Sequence, residues 1–298
     1  MPIVGARWCG STSESSPMSC DPQRRHVVSG DLRALFLHDH VVSWVDGPQD
    51  LDRLAVSVFA ASGGERLVYV VDDPDPQRLE GLEDVDRLLD RGHLQLMSVD
   101  AIYRGAAFDP MDRLATFTQM LDETLAAGYE GLRVVADATA FVSGSEKHFA
   151  GWMTWEYLAD RFHATNPVLG VCAIDTRRVS EQRVADLAAI HPVLTDGCTP
   201  CCFQLFSDGR GAMKLIGVVD PFSVDQFRRV LAHIPTDSDL AIDVSGAEFL
   251  DHRVLEALGN LESGVRVQVR DAGPTLRKAW EALGEPSDRM YFAQTAGD

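Results

Sequence analysis

Carboxylates that close short apolar runs are the residues best placed for chemistry. Asp137 ends the run Leu132-Arg133-Val134-Val135-Ala136, and Asp175 ends Val171-Cys172-Ala173-Ile174. Ser98-Val99-Asp100 and Asp72-Asp73 occupy equivalent places. Open α/β sheets collect ligands at the carboxyl ends of their strands. Asp100, Asp137 and Asp175 are therefore candidate ligand contacts along one polar edge. The alternative is that each caps the adjoining turn or helix. Arg133 sits inside an apolar run and, if buried, needs a carboxylate partner. Glu156 or Asp175 could supply it, either to anchor a ligand or to form a structural ion pair. Trp152, Trp155 and Phe162 fall three and seven residues apart, so they share one helical face. Most of that stripe reads as core, with Trp155 a candidate wall for an apolar ligand.

The thiols are a second place to look. Cys198-Thr199-Pro200-Cys201-Cys202 contains a C-x-x-C spacing among six cysteines. A thioredoxin-type site needs a helix start to activate the thiol, whereas Phe203-Gln204-Leu205-Phe206 reads as strand. A zinc site needs a second pair of ligands, and Cys9, Cys20, Cys172 and His191 lie far apart in sequence. No metal site or cofactor is assigned; Cys198, Cys201 and Cys202 remain the one place for thiol redox or metal sensing, against a linker with incidental thiols. His191-Pro192 reads as a helix end, where a cation suits the dipole. Ser62-Gly63-Gly64-Glu65-Arg66 lacks the lysine and hydroxyl of a phosphate-binding loop, and no hydrolase or metalloprotease pattern occurs. The expectation is a binding protein and not an enzyme. A nucleotide-binding or enzymatic cleft is the alternative.

The elements that must position these residues are set by periodicity. Leu51, Leu54, Ala55, Val58 and Phe59 predict an amphipathic helix, and Leu67 to Val71 a strand buried on both faces. Leu79, Leu82, Leu88 and Leu89 predict a helix, Leu94 to Met97 a strand, Pro110 to Ala127 a helix and Leu132 to Val135 a strand. An aromatic helix around Trp152 to Phe162 leads into the run Val168 to Ile174, and a last helix carries Val184, Leu187 and Ile190. This alternation predicts an open parallel α/β sheet over residues 26–195. Residues 196–200 read as a linker. Over 201–298 a hairpin (Cys202 to Phe206, Ala212 to Ile216) precedes helices and the strands Leu240 to Val244 and Val265 to Val269, a smaller α/β unit. Residues 1–25 are Ser-rich, without apolar period, and are expected to be disordered.

The smaller unit resembles the STAS domain of anti-sigma-factor antagonists. The resemblance rests on Gly217-Val218-Val219-Asp220, Ala241-Ile242-Asp243-Val244-Ser245-Gly246, Phe249-Leu250-Asp251 and Gly273-Pro274-Thr275-Leu276-Arg277. It implies an anti-sigma factor with a kinase-type ATPase domain, or a related regulator, as partner. It also implies a contact surface of Asp220, Asp243, Ser245, Gly246, Phe249, Asp251, His252 and Arg253. Phosphorylatable members carry a hydroxyl directly after the motif Asp; here the chain reads Asp251-His252-Arg253, so the phospho-switch is not expected. The larger unit resembles the MEDS sensory domain, through Gly128-Tyr129-Glu130-Gly131-Leu132-Arg133, Phe108-Asp109, Trp155-Glu156, Cys172-Ala173-Ile174-Asp175 and His191-Pro192. That resemblance implies a RecA-like or Rossmann-like core turned to sensing a small molecule. It adds Tyr103 to the ligand candidates Asp100, Arg133, Asp137, Trp155, Glu156 and Asp175.

Composition agrees with a signalling regulator. The 298 residues carry a formal charge of −18. The first 200 hold 17 basic and 30 acidic side chains (net −13) and the rest 10 and 15 (net −5). Neither part offers the basic face that nucleic-acid binding needs. No apolar run approaches the roughly 20 residues that span a bilayer, and no leader-like segment opens the chain. A cytoplasmic protein without a membrane partner is expected.

Overall fold

The computed structural model describes residues 25–103, 108–198, 201–235, 239–261, 264–284 and 289–293, without the side chains of 102 and 103. Of the expected disordered tail, residues 1–24 lie outside the described residues, and Arg25 is held by the Asp39 carboxylate. The strands of the first sheet are β1 (Val27–Ser29), β2 (His40–Val45), β3 (Arg66–Val71), β4 (Leu94–Ser98), β5 (Leu132–Asp137), β6 (Val168–Asp175) and β7 (Val193–Thr195). Between them run α1 (Pro48–Phe59), α2 (Val85–Asp90), α3 (Val99–Tyr103), α4 (Pro110–Ala126), α5 (Thr139–Val142), α6 (Glu146–Thr165) and α7 (Glu181–Ile190). The sheet order is β1-β7-β2-β6-β5-β3-β4, with every pairing parallel. The expected α/β class and parallel sheet are observed.

Alternation along the buried strands sorts the residues to two faces. Tyr69, Val71, Val135 and Val171 pack with Leu51, Leu54, Val58 and Phe59 of α1. Val68, Val70, Val134, Ala136 and Ile174 pack with Phe117 and Leu121 of α4 and with the aromatic residues of α6. Helix starts obey capping chemistry: the Ser145 hydroxyl accepts from the His148 amide and Ser180 from the Arg183 amide. Pro48 opens α1 behind Gly47, whose φ of +92° suits glycine.

The C-terminal sheet contains β8 (Phe203–Ser207), β9 (Met213–Val219), β10 (Leu240–Leu250), β11 (Val267–Arg270) and β12 (Met290–Phe292) in the order β12-β11-β10-β9-β8. Only β8 is antiparallel to its neighbour. Its helices are α8 (Val224–Leu231), α9 (His252–Gly259) and α10 (Pro274–Ala282). Helix α6 packs on β2 and β6 of the first sheet and contacts β8, as does α7, which also contacts α6 and α8. One hydrophobic cluster runs from Val68 and Trp152 to Phe227 and Leu255. Helix α6 therefore lies between two sheets, which explains why its buried residues surround its axis.

Three differences from the pattern expected of the sequence have physical causes. The helix expected over Leu79 to Leu89 divides into a short 3-10 turn at Pro76–Leu79 and α2, with Asp84 at φ +57° between them. Strand β10 runs on from Val244 to Leu250 because two register shifts keep it beside β9. Strand β2 is a full central strand, although its run from Val41 is broken by Ser43 and headed by His40.

Candidate functional site

Strand β2 carries the first residue of the site. His40 heads it, opposite Gly170 of β6, while Cys172 lies opposite Val42. The period of two thus puts the side chains of His40 and Cys172 on one face of adjacent strands. Helix α6 covers that face and presents Glu156 and Asp160 four residues apart, on one side of the helix. His191 comes directly after the last turn of α7. Glu156 and His191 are fully buried, and His40 and Asp160 are 1% exposed.

The atoms converge on Glu156 Oε2. His40 Nε2 lies 3.0 Å from it, His191 Nε2 3.4 Å and Cys172 Sγ 3.7 Å. Cys172 Sγ is 3.9 Å from His40 Nε2, and one ligand atom from each of the four residues lies within 4.8 Å of the others. Both imidazoles are held from behind. His191 Nδ1 donates to the Leu187 carbonyl at 2.8 Å, and His40 Nδ1 meets Asp160 Oδ1 at 3.2 Å. A carbonyl only accepts, so Nδ1 of His191 carries a proton and its Nε2 is the atom turned to the site. Gly170 belongs to the same design, because a Cβ there would meet His163 Cε1 at 2.1 Å.

Two buried polar atoms of this cluster, Glu156 Oε1 and His191 Nε2, have no hydrogen-bond partner. Burial works to neutralise both charged types here. For His40 it is outweighed by the hydrogen bonds and charges of Asp160 and Glu156, which raise its pKa. Burial would lift Glu156, yet the adjoining His191 and His40 hold it far below the usual carboxylate range. Burial and then the Glu156 carboxylate push the Cys172 thiol well up. Imidazole, thiol and carboxylate together are the donor types of a divalent transition-metal site.

The sequence candidates divide accordingly. Glu156 belongs to the cluster, but not as the partner of Arg133. Alternation along β5 turns Arg133 to the α1 face, where it meets Glu65 Oε1 at 2.6 Å and donates to the Val58 carbonyl. Trp155 is core, with its ring centroid 5.1 Å from that of Phe117. Asp137 and Asp175 do share the carboxyl edge of the sheet. Each caps the next turn of the chain: Asp137 accepts from the Thr139 amide, and Asp175 from the amide and guanidinium of Arg177. Asp100 lies exposed on α3, and the side chain of Tyr103 is outside the described residues. A cleft of about 280 Å³ does open at the carboxyl ends of β1, β2 and β7, lined by Ser43, Asp50, Arg53, Thr195 and Asp196.

The linker thiols are poorly placed for chemistry. Cys198 Sγ faces the Val42 carbonyl and Cys201 Sγ the Ala188 carbonyl. Burial raises Cys198 and pushes Cys201 up to about 12, which disfavours the reactive thiolate. Among the described residues, the group of metal-type donors is His40, Cys172 and His191 with Glu156, away from Cys198, Cys201 and Cys202. The signal for His40 was a polar residue at the head of a buried run; the other donors are joined to it only by tertiary structure.

At the C-terminal unit, Asp220 lies just after β9 and Asp251 just after β10, and the Asp251 amide donates to the Val219 carbonyl. The Asp243 carboxylate accepts from the Ser245 amide, and Gly246 lets β10 approach Ile216. Asp251 caps α9 and holds Arg253, whose guanidinium brings its carboxyl down to about 2. Phe249 and His252 are exposed, and Phe249 borders a groove of about 320 Å³ against Thr275 and Leu276 of α10.

Among the described residues, no helix is long and apolar enough to cross a membrane. Comparison with curated proteins and with solved structures returned no match. A family model described as the MEthanogen/methylotroph, DcmR Sensory domain (MEDS) matches residues 39–192, more than half of the chain. Its span begins one residue before His40 and ends one after His191, so it encloses the whole cluster; the chain belongs to the MEDS sensory-domain family.

Proposed function

We propose that this chain is a signalling regulator that works by binding and not by turnover. Its MEDS part senses a small molecule, and its C-terminal unit engages an anti-sigma factor of the kinase type. The observation that carries the coupling is the contact between the two units. Asp160, behind His40, accepts the Ser207 amide of β8, and the Gln204 amide group donates to the His191 carbonyl. Asp186 of α7 meets Arg229 of α8 at 2.9 Å. A change at the sensory cluster thus displaces β8 directly.

The cleft beside Ser43 and Thr195 suits a small polar ligand. In the C-terminal unit, the sheet order and the Asp251-capped helix support the STAS-like reading. Exposed Phe249 and His252 beside that helix supply an apolar and a polar contact. Residues 252 and 253 offer no hydroxyl, so the association is set by occupancy of the sensory part and not by phosphate at that position. The strand order of the parallel sheet supports a RecA-like origin for the sensory core.

The test is a binding isotherm between the full chain and a purified kinase-type anti-sigma factor. Phe249→Asp and His252→Glu are expected to weaken association at least tenfold while leaving the circular dichroism unchanged. Undiminished affinity in both variants removes this surface from the proposal, and failure of the parent chain to bind removes the partner class.

A further inference from the structure

We propose that His40, Glu156, Cys172 and His191 bind one divalent transition-metal ion of the zinc class, enclosed between the first sheet and α6. The donor atoms already lie near the spacing that a bound ion requires, all within 4.8 Å of one another. Tetrahedral bonds of about 2.0–2.3 Å to nitrogen, oxygen and sulfur imply ligand-to-ligand edges of about 3.3–3.6 Å. Four of the six edges run from 3.0 Å (His40 to Glu156) through 3.4 and 3.7 Å to 3.9 Å (Cys172 to His40), so shifts of a few tenths of an ångström bring these four to the tetrahedral values.

The hydrogen bonding points the same way. Each imidazole is oriented through Nδ1, one by a carboxylate and one by a backbone carbonyl, the arrangement that fixes the tautomer of a metal-ligating histidine. Both Nε2 atoms then face a single carboxylate oxygen. The His191 Nε2 lone pair aimed at that oxygen repels it, whereas a cation between them attracts both. His191 Nε2 is orphaned in the protein alone, and coordination supplies its partner. Water does not substitute readily, because Glu156 and His191 are fully buried.

Binding balances simply. Cys172 enters as thiolate and both imidazoles with a free Nε2, every proton displaced from these atoms leaving to solvent, and Glu156 enters ionised. The two anionic donors match the charge of the ion, and Asp160 remains hydrogen-bonded to His40. Because the site is closed by α6, the ion enters as the chain folds. The assignment does not lean on the anti-sigma reading, since it concerns the sensory part alone.

The experiment is refolding of the full chain with Zn²⁺ or Co²⁺ under reducing conditions, followed by removal of free metal and elemental analysis. About one equivalent of metal is expected to remain. The Co²⁺ form is expected to show intense tetrahedral visible bands with a thiolate-to-metal band in the near ultraviolet. Cys172→Ala, a small change at a half-buried position, abolishes the thiolate band, and Glu156→Gln lowers metal retention at least tenfold. A chain with Cys201→Ser and Cys202→Ser keeps both signals. No retained metal in the folded parent chain overturns the proposal. So does a thiolate band that survives Cys172→Ala or disappears with the paired Cys201 and Cys202 changes. If Glu156→Gln fails to fold, the Cys172→Ala spectrum decides alone.

Discussion

The two faces of the seven-stranded sheet each bury a charged cluster, and they solve the same problem differently. On the α1 face, Glu65 is closed by its pairing with Arg133, although the buried Nε of Arg133 has no acceptor. Glu65 Oε1 takes the guanidinium, and Oε2 takes the Gly63 and Gly64 amides at 2.7 and 3.1 Å. Both oxygens of that carboxylate are matched by donors of the protein. On the α6 face, Glu156 leaves Oε1 unpartnered and receives two imidazole nitrogens on Oε2. A buried carboxylate whose two oxygens are both met by donors of the protein needs no visitor. One whose acceptors outnumber its protons is shaped for a cation. The contrast does not depend on depth, since both clusters are buried.

Removing one member of the closed pair has the largest expected effect. Arg133→Ala should destabilise the chain by about 3–5 kcal/mol in urea unfolding, because it strands Glu65 in a buried site. Adding Glu65→Leu should recover most of that loss, and a double variant no better than Arg133→Ala would contradict the pairing. The same pair sets a pH response. Burial raises Glu65, but Arg133 and the Gly63 amide outweigh it and hold the carboxyl below its ordinary 4.5. Its contribution is therefore present above about 4.5 and is lost as pH falls through the lower folded value. The double variant should show a shallower acid-side decline in stability than the parent.

The open cluster should respond to metal where the closed one does not. With free Zn²⁺ at about a hundred times its Kd, the parent chain should gain about 2.7 kcal/mol, read as a shift in the urea midpoint. Arg133→Ala should gain as much from its lower baseline; Cys172→Ala should gain far less. Between the units, Arg229→Gln should cost about 1–3 kcal/mol by leaving the buried Asp186 carboxylate short of donors. A cost below about 0.3 kcal/mol would place that pair among ordinary surface contacts. The smallest effect is expected at exposed Phe249, where Phe249→Asp should change stability by less than about 0.5 kcal/mol.

Legibility in the sequence tracked the range of the interaction. Leu67 to Val71 and Leu132 to Val135 declared themselves as buried strands because neighbours in sequence share the burial. The caps at Asp137 and Asp175 were foreseeable for the same local reason. Glu156 stands out in the sequence but its partner does not, since that depends on the face on which Arg133 emerges, toward Glu65. His40, Cys172 and His191 lie 132 and 19 residues apart along the chain, and only the order β7-β2-β6 brings them together. Their chemistry is a property of topology, which no spacing rule records. The register shifts of β10 were invisible too, because a bulge depends on the neighbouring strand.

The position of α6 between two sheets carries a consequence for biosynthesis. A ribosome completes the first sheet and its covering helices before β8 and α8 have been made. From Ile190 to Leu231 is about 40 residues, a few seconds of synthesis at roughly 5–20 residues per second. During that interval the outer sides of α6 and α7, Tyr157 among them, lie bare. Tyr157 later donates its hydroxyl to the Val230 carbonyl of α8. The nascent chain thus passes through a sticky half-built form, and a truncation after residue 195 would make that transient surface permanent.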